Sequence, residues 1–181
     1  MATLRNWVWI GPILVAACGS GQPAEGGQVD GANLSTDFSY LEIVSRPGWV
    51  WFSPAPGSDC SNLMVATYEL QAANHQLDWD ECLFEDYTDP SLYRRHAGSR
   101  TLSETEFSSV LDALAQVKIG GRGVCIADGA NITLDLTVHG IITGYVIDSN
   151  SCHGSAPDGR TYVSGDSLQV LTSALDQLSG V

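Results

Sequence analysis

An apolar run from Trp7 to Ala17 that stops at Cys18 is the feature that most constrains this chain. Ahead of it lies a leader, Met1 to Asn6, with one charged side chain, Arg5; only Gly11 and Pro12 interrupt the run itself. About eleven residues of helix rise only ~17 Å, well short of the roughly 30 Å hydrocarbon core, so a permanent transmembrane helix is not expected here. A basic leader, a short apolar stretch and small residues before a processing point read as an export signal over residues 1–17. An exported chain folds where thiols oxidise, and every later inference inherits that setting.

Leu14-Val15-Ala16-Ala17-Cys18 resembles the lipobox of bacterial lipoproteins, with an aliphatic residue at Val15, small residues at Ala16 and Ala17, then the cysteine. The resemblance covers the N-terminus alone; the folded part resembles no characterised family closely. It implies that the Cys18 thiol receives a diacylglyceryl group, that the chain is cut before Cys18, and that the new amine is acylated, palmitate being a typical chain. Several acyl chains make a stable anchor where one is marginal. Gly19 follows, not the aspartate that the family's sorting rule associates with the inner membrane, so the resemblance implies a cell-envelope location at the outer membrane.

From Gly19 to Asp37 the sequence GSGQPAEGGQVDGANLSTD is rich in glycine and polar residues. Residues 18–37 therefore read as the lipidated cysteine and a flexible tether with an r.m.s. span of about 23 Å. Residues 38–181 are one domain's worth of chain. All 21 acidic residues lie after Cys18, and the formal net charge of the whole chain is −13. Such a surface repels phosphate backbones, so no nucleic-acid partner is expected.

Four cysteines remain in the domain, Cys60, Cys82, Cys125 and Cys152, an even number that reads as two disulfides. Three connectivities exist; Cys60–Cys82 with Cys125–Cys152 is favoured because each closes a local loop. A zinc site from these cysteines and His153 is the alternative, against which stand the lack of a Cys-x-x-Cys pair and the oxidising compartment. No cofactor is expected.

Periodicity supplies the elements. Tyr40–Ser45 reads as a strand and Trp49–Phe52 as a short extended piece beyond the Pro47-Gly48 turn. Met64 to Gln71 alternates with period two, Asn74-His75 marks a turn, and Leu77–Phe84 returns as an antiparallel partner. Ser103-Glu104-Thr105-Glu106 is a capping box with Leu102 and Phe107 in staple positions. Phe107, Val110, Leu111, Leu114 and Val117 then share a helical face, and Gly120-Gly121 is expected to end the helix. A second hairpin runs through Ile132–Val138, turns at His139-Gly140 and returns over Ile141–Ile147. Leu168, Leu171, Leu175 and Leu178 mark a closing helix. The expected fold is α+β, an antiparallel sheet of two hairpins with two helices on one face, in the order ββ-α-ββ-α.

Three features invite a functional reading. Gly165-Asp166-Ser167-Leu168 resembles the motif of GDSL-type esterases, in which the serine is the nucleophile, but no histidine follows it and the family's Asp-x-x-His block is missing. Asp166 as a helix N-cap, with Gln169 completing a box, accounts for the same residues. Asp78, Asp80, Glu81, Glu85, Asp86 and Asp89 crowd six carboxylates into a dozen residues without a calcium-loop spacing, which reads as a solvated acidic face, and no metal is expected. Aromatic and basic residues, Trp49, Trp51, Tyr93, Arg94 and Arg95, are the candidate binding surface, the last three within a long connection, YTDPSLYRRHAGSR, from Tyr87 to Arg100.

No complete catalytic constellation is present. The sequence therefore points to a membrane-anchored lipoprotein with a small disulfide-stapled domain that binds or scaffolds an envelope protein or glycan. An inhibitor or regulator of an exported enzyme is the second reading, because the element order loosely resembles metallopeptidase inhibitors of the emfourin type. A hydrolase using Ser167 is the third.

Overall fold

The computed structural model describes residues 31–46, 60, 66–84, 93–120, 131–147 and 157–180. Among these residues, seven strands and two α-helices follow in the order β1 (Tyr40–Arg46), β2 (Ala66–Gln71), β3 (Gln76–Phe84), β4 (Tyr93–Thr101), α1 (Glu104–Leu114), β5 (Asn131–Val138), β6 (Ile141–Ile147), β7 (Thr161–Val163) and α2 (Gly165–Ser179). They form one sheet in the spatial order β4-β3-β2-β1-β5-β6-β7. All pairings are antiparallel except β6 with β7.

The class is α+β, but two separate hairpins do not describe it. Strands β1 to β4 form a continuous meander, and after α1 the chain crosses back to lay β5 on the free edge of β1. The strand β4 was expected as a connecting loop. Its sequence, YRRHAGSRT, lacks apolar alternation because an edge strand can fill its core-side positions with small or long polar side chains. Gly98 is one of these: a Cβ there would sit within 3 Å of the Trp79 ring, so the indole occupies the room a side chain would take. Arginines along an edge also discourage pairing with another chain.

Strand alternation sorts the sheet into two faces. Leu41 and Ile43 of β1 point to the same side as Tyr68 and Leu70 of β2, Leu77 of β3, and Leu134 and Leu136 of β5. Val110 and Leu114 of α1 and Leu168, Leu171 and Leu175 of α2 close over them in one core. Each such aliphatic side chain contributes roughly 1.5–3 kcal/mol by leaving water. The other face carries Glu42, Glu69, Asp78, Asp80, Cys82 and Asp135.

Helix α1 begins as the sequence dictates. The Glu106 N–H donates to Ser103 Oγ at 3.3 Å while the Ser103 N–H donates to Glu106 Oε2 at 2.8 Å, and Leu102 and Phe107 are both buried. The Ser103 N–H, followed by Arg100, holds the Glu106 carboxyl at about 2. Because that value is depressed, the cap is intact above the ordinary carboxylate range and is lost as pH falls toward 2. The helix stops at Leu114, before the Gly120-Gly121 pair expected to end it. The next residues have other partners: the Leu34 N–H donates to the Val117 carbonyl and the Ile119 N–H to the Ala32 carbonyl, bridging Asn33 to Lys118. Residues 31–37, expected in the tether, are thus fixed to the domain, with Leu34 buried at 4% exposure.

Cys60 and Cys82 form a disulfide with Cα atoms 5.6 Å apart. It lies on the sheet face away from the helices, because Cys82 alternates with Glu81, which faces them. Cys125 and Cys152 lie outside the described residues. The bridge closes a loop with a sequence separation of 22 residues, which in the chain-entropy model is worth about 3 kcal/mol. The double variant Cys60→Ser/Cys82→Ser should lose stability of that order in urea unfolding, with the native circular dichroism spectrum retained.

Candidate functional site

The two faces treat carboxylates in opposite ways. On the open face, register aligns four of them in a row perpendicular to the strands: Asp78 is directly opposite Glu69, Glu69 opposite Glu42, and Glu42 opposite Asp135. Opposed residues on neighbouring strands have Cβ atoms about 4.5–5.5 Å apart, and like charges placed so are destabilising. The row is relieved at its ends. Asp135 takes a two-pronged pair from Arg160, with Nη2 at 3.1 Å from Oδ2, and Asp78 accepts from Ser99 Oγ. Asp80, one step up β3, is held by Arg95 through Nε at 2.9 Å and Nη2 at 2.6 Å.

The middle of the row keeps its repulsion. Partial burial, then Glu69 and Asp135, push the Glu42 carboxyl above its ordinary range against a smaller opposing pull from Arg160. Tyr40, hydrogen-bonded to Glu69, has its hydroxyl pushed up as well, by burial first and by Glu69 next. Among the described residues no three His, Cys, Asp or Glu side chains are arranged to hold a metal ion. What the row offers is a line of hydrogen-bond acceptors across four strands.

On the helix face, Glu81 is 5% exposed and leaves its Oε1 atom without a hydrogen-bond partner among the described residues. Its other contacts are Tyr68 of β2 and Ser179 of α2. Tyr68 also donates to Asp176 Oδ1, and Ser179 Oγ donates to the Asp176 carbonyl at 2.9 Å. Two hydroxyl protons are shared among these acceptors. His96, directly opposite Glu81 on β4, keeps Nδ1 out of solvent and without a hydrogen-bond partner among the described residues, as does Trp79 with Nε1. Burial raises both the Glu81 and the Asp176 carboxyl. At Glu81 the hydrogen bonds from Ser179 and Tyr68 and the charge of His96 oppose that rise, and at Asp176 the Tyr68 hydrogen bond does.

The residues singled out by sequence meet different fates. Cys18, Trp49, Trp51, Glu85, Asp86, Asp89 and His153 lie outside the described residues. Tyr93 is buried, so the expected Tyr-Arg-Arg surface reduces to Arg94 and Arg95 on the edge strand, with Arg95 committed to Asp80. Glu81 leaves the supposed acidic face altogether, since it points to the helices while Asp78 and Asp80 point away.

Ser167 is occupied structurally. Its Oγ accepts from the Lys118 N–H at 3.1 Å and donates to the Ser164 carbonyl at 2.9 Å. The N-cap of α2 is Ser164, not Asp166, and its side chain makes no capping bond. The three described histidines are placed elsewhere: His75 stacks on Phe107 with ring centroids 4.0 Å apart, His96 lies beside Trp79, and His139 faces Asp37. None hydrogen-bonds Ser167. No protein-family model, no curated protein and no solved structure matches this chain.

The buried pair has a pH signature. A raised carboxyl binds more protons folded than unfolded between its ordinary and its raised value, so its contribution to stability falls as pH rises through that window. Glu81→Gln removes one such group. Its melting temperature relative to the parent should increase as pH rises above the ordinary carboxylate range, measured by thermal unfolding in a buffer series; a difference independent of pH would contradict a raised Glu81 carboxyl.

Proposed function

We propose that this chain is a lipid-anchored protein of the bacterial cell envelope, attached through Cys18 and more suited to the outer membrane, whose folded part works by binding rather than by catalysis. Its binding surface is the open face of the sheet, and the partner is a cationic segment of an envelope protein. The observation that carries this reading is the row Asp78-Glu69-Glu42-Asp135. Aligned like charges oppose folding, and the partners at the two ends, Arg160 and Ser99, leave Glu42 and Glu69 directly opposite each other in the middle. A cationic partner reverses the sign of the row's energy and gives rapid, salt-dependent association.

The disulfide Cys60–Cys82 supports the export half of the proposal, since such bonds persist in oxidising compartments. A second bridge, Cys125–Cys152, belongs to the same reading. Hydrolysis through Ser167 is disfavoured by the hydrogen bonds that hold its hydroxyl in the helix start.

Two measurements test the two halves. Expressed in a diderm bacterium, the full chain should yield a detergent-partitioning product beginning at an acylated cysteine by intact mass, and Cys18→Ser should remove both properties. For the face, Glu42→Gln/Glu69→Gln should raise the melting temperature while weakening binding of a decalysine probe by tenfold or more at low salt. Equal binding by parent and variant would remove the open face from the proposal.

A further inference from the structure

Beyond β7 the sheet continues through two short extended pieces. Residues 117–120 lie along β7, with the Gly120 N–H donating to the Tyr162 carbonyl at 2.6 Å, the Ser164 N–H to the Lys118 carbonyl at 3.0 Å, and Ile119 bridged to Val163. Their other edge is covered by residues 32–34: the Leu34 N–H donates to the Val117 carbonyl at 3.0 Å and the Ile119 N–H to the Ala32 carbonyl at 2.8 Å. These two bonds flank Asn33 and Lys118, which makes them a close, non-hydrogen-bonded antiparallel pair. Among the described residues, 32–34 are the outermost extended piece at this side of the sheet, opposite the β4 edge.

Few contacts hold this piece in place. Leu34 is buried in the core, whereas Ala32, Asn33, Ser35, Thr36 and Asp37 are exposed. From Ser39 onward the chain is held far more firmly: the Ser39 N–H donates to the Thr137 carbonyl, the Ala72 N–H to the Ser39 carbonyl, and β1 then runs between two full partners. Lifting residues 31–34 about the exposed stretch 35–37 breaks two ladder bonds and uncovers one leucine. Openings of that size occur well below the free energy of global unfolding. They uncover the Val117 carbonyl and the Ile119 N–H, an acceptor and a donor in strand register, beside the place that Leu34 fills in the core. A backbone edge with a side-chain site next to it is the arrangement by which sheets take up extended peptides.

We infer that residues 31–34 are an exchangeable strap seated on a strand-addition site, and that the site accepts from another chain an antiparallel extended segment with the strap's own chemistry: a small residue, a polar residue, then a leucine-sized aliphatic one. The strap sets the threshold for entry, since an incoming segment must replace both backbone bonds and the side chain of Leu34. A polar group in that place is buried without a partner, so segments lacking the aliphatic residue are rejected. The site is separate from the carboxylate row and does not require lipid on Cys18.

The test uses the full chain in detergent micelles and a synthetic peptide of residues 31–37 carrying Asn33→Cys. Lys118→Cys in the chain sets a thiol opposite that cysteine, at a separation that a disulfide spans, and peptide mapping by mass reads the mixed disulfide at position 118 in a thiol redox buffer. The chain Leu34→Ala/Lys118→Cys, whose own strap has lost its buried side chain, should trap the peptide roughly tenfold or more over Lys118→Cys alone. A peptide that also carries Leu34→Asp should be trapped no more than a scrambled sequence. Equal trapping by the two chains, trapping by neither, or trapping of the aspartate peptide overturns the site. Amide hydrogen exchange tests the strap in the unsubstituted chain: Leu34 and Ile119 should exchange about a hundredfold faster than Leu41 and Ile43 of β1. Exchange of all four at one rate means that the strap opens only when the domain unfolds, and overturns the inference.

Discussion

Strand β1 is the piece on which the remaining structure depends. It pairs along its length with β2 on one side and with β5 on the other, so among the described residues it joins the meander to the C-terminal half of the sheet. Its inward residues, Leu41 and Ile43, are fully buried and sit between Leu70 and Tyr68 of one neighbour and Leu136 and Leu134 of the other. A polar side chain at either position would strand a dipole where both helices converge, at a cost larger than most single contacts in the core.

The same strand explains why charge is distributed as it is. Glu42 lies between Leu41 and Ile43, so the alternation that buries two aliphatics forces a carboxylate to the other side, beside Glu69 and Asp135. There the acids face one another across the strands, and burial with Glu69 and Asp135 beside it raises the Glu42 carboxyl. Glu81 shows the reverse solution, a carboxyl turned inward whose affinity for a proton burial raises. One sheet thus carries an electrostatically loaded surface and, through its thickness, an interior pair of carboxyls raised by burial.

Much of the fold is legible from local signals. The Ser103–Glu106 box, the apolar stripe after Phe107, the His139-Gly140 turn and the leucines of α2 each depend on neighbours within a few residues, and each stands where periodicity places it. What escapes is set by long-range pairing. Strand β4 has no apolar period because Gly98 yields its place to Trp79, and α1 ends early because residues 32–34 claim the backbone of 117–119. The carboxylate row is invisible until four strands are put in register. The Glu81 cluster needs in addition the docking of α2, which brings Asp176 and Ser179 to Tyr68 from more than a hundred residues away in sequence.

The crossover after α1 has a kinetic meaning. Strands β1 to β4 can zip together as a meander while the chain emerges from its N-terminal end, each joined to its predecessor in sequence. Tyr40 must wait for Thr137 and Arg46 for Asn131 before the second edge of β1 is satisfied. Closing so large a loop is slow, since its entropy is lost before any contact rewards it. Until β5 arrives, the half-built sheet shows a bare strand edge flanked by Leu41 and Ile43, the kind of surface on which chains associate wrongly. The most central strand of the finished protein is therefore its most vulnerable edge during assembly, and whatever accompanies the nascent domain has that edge to guard.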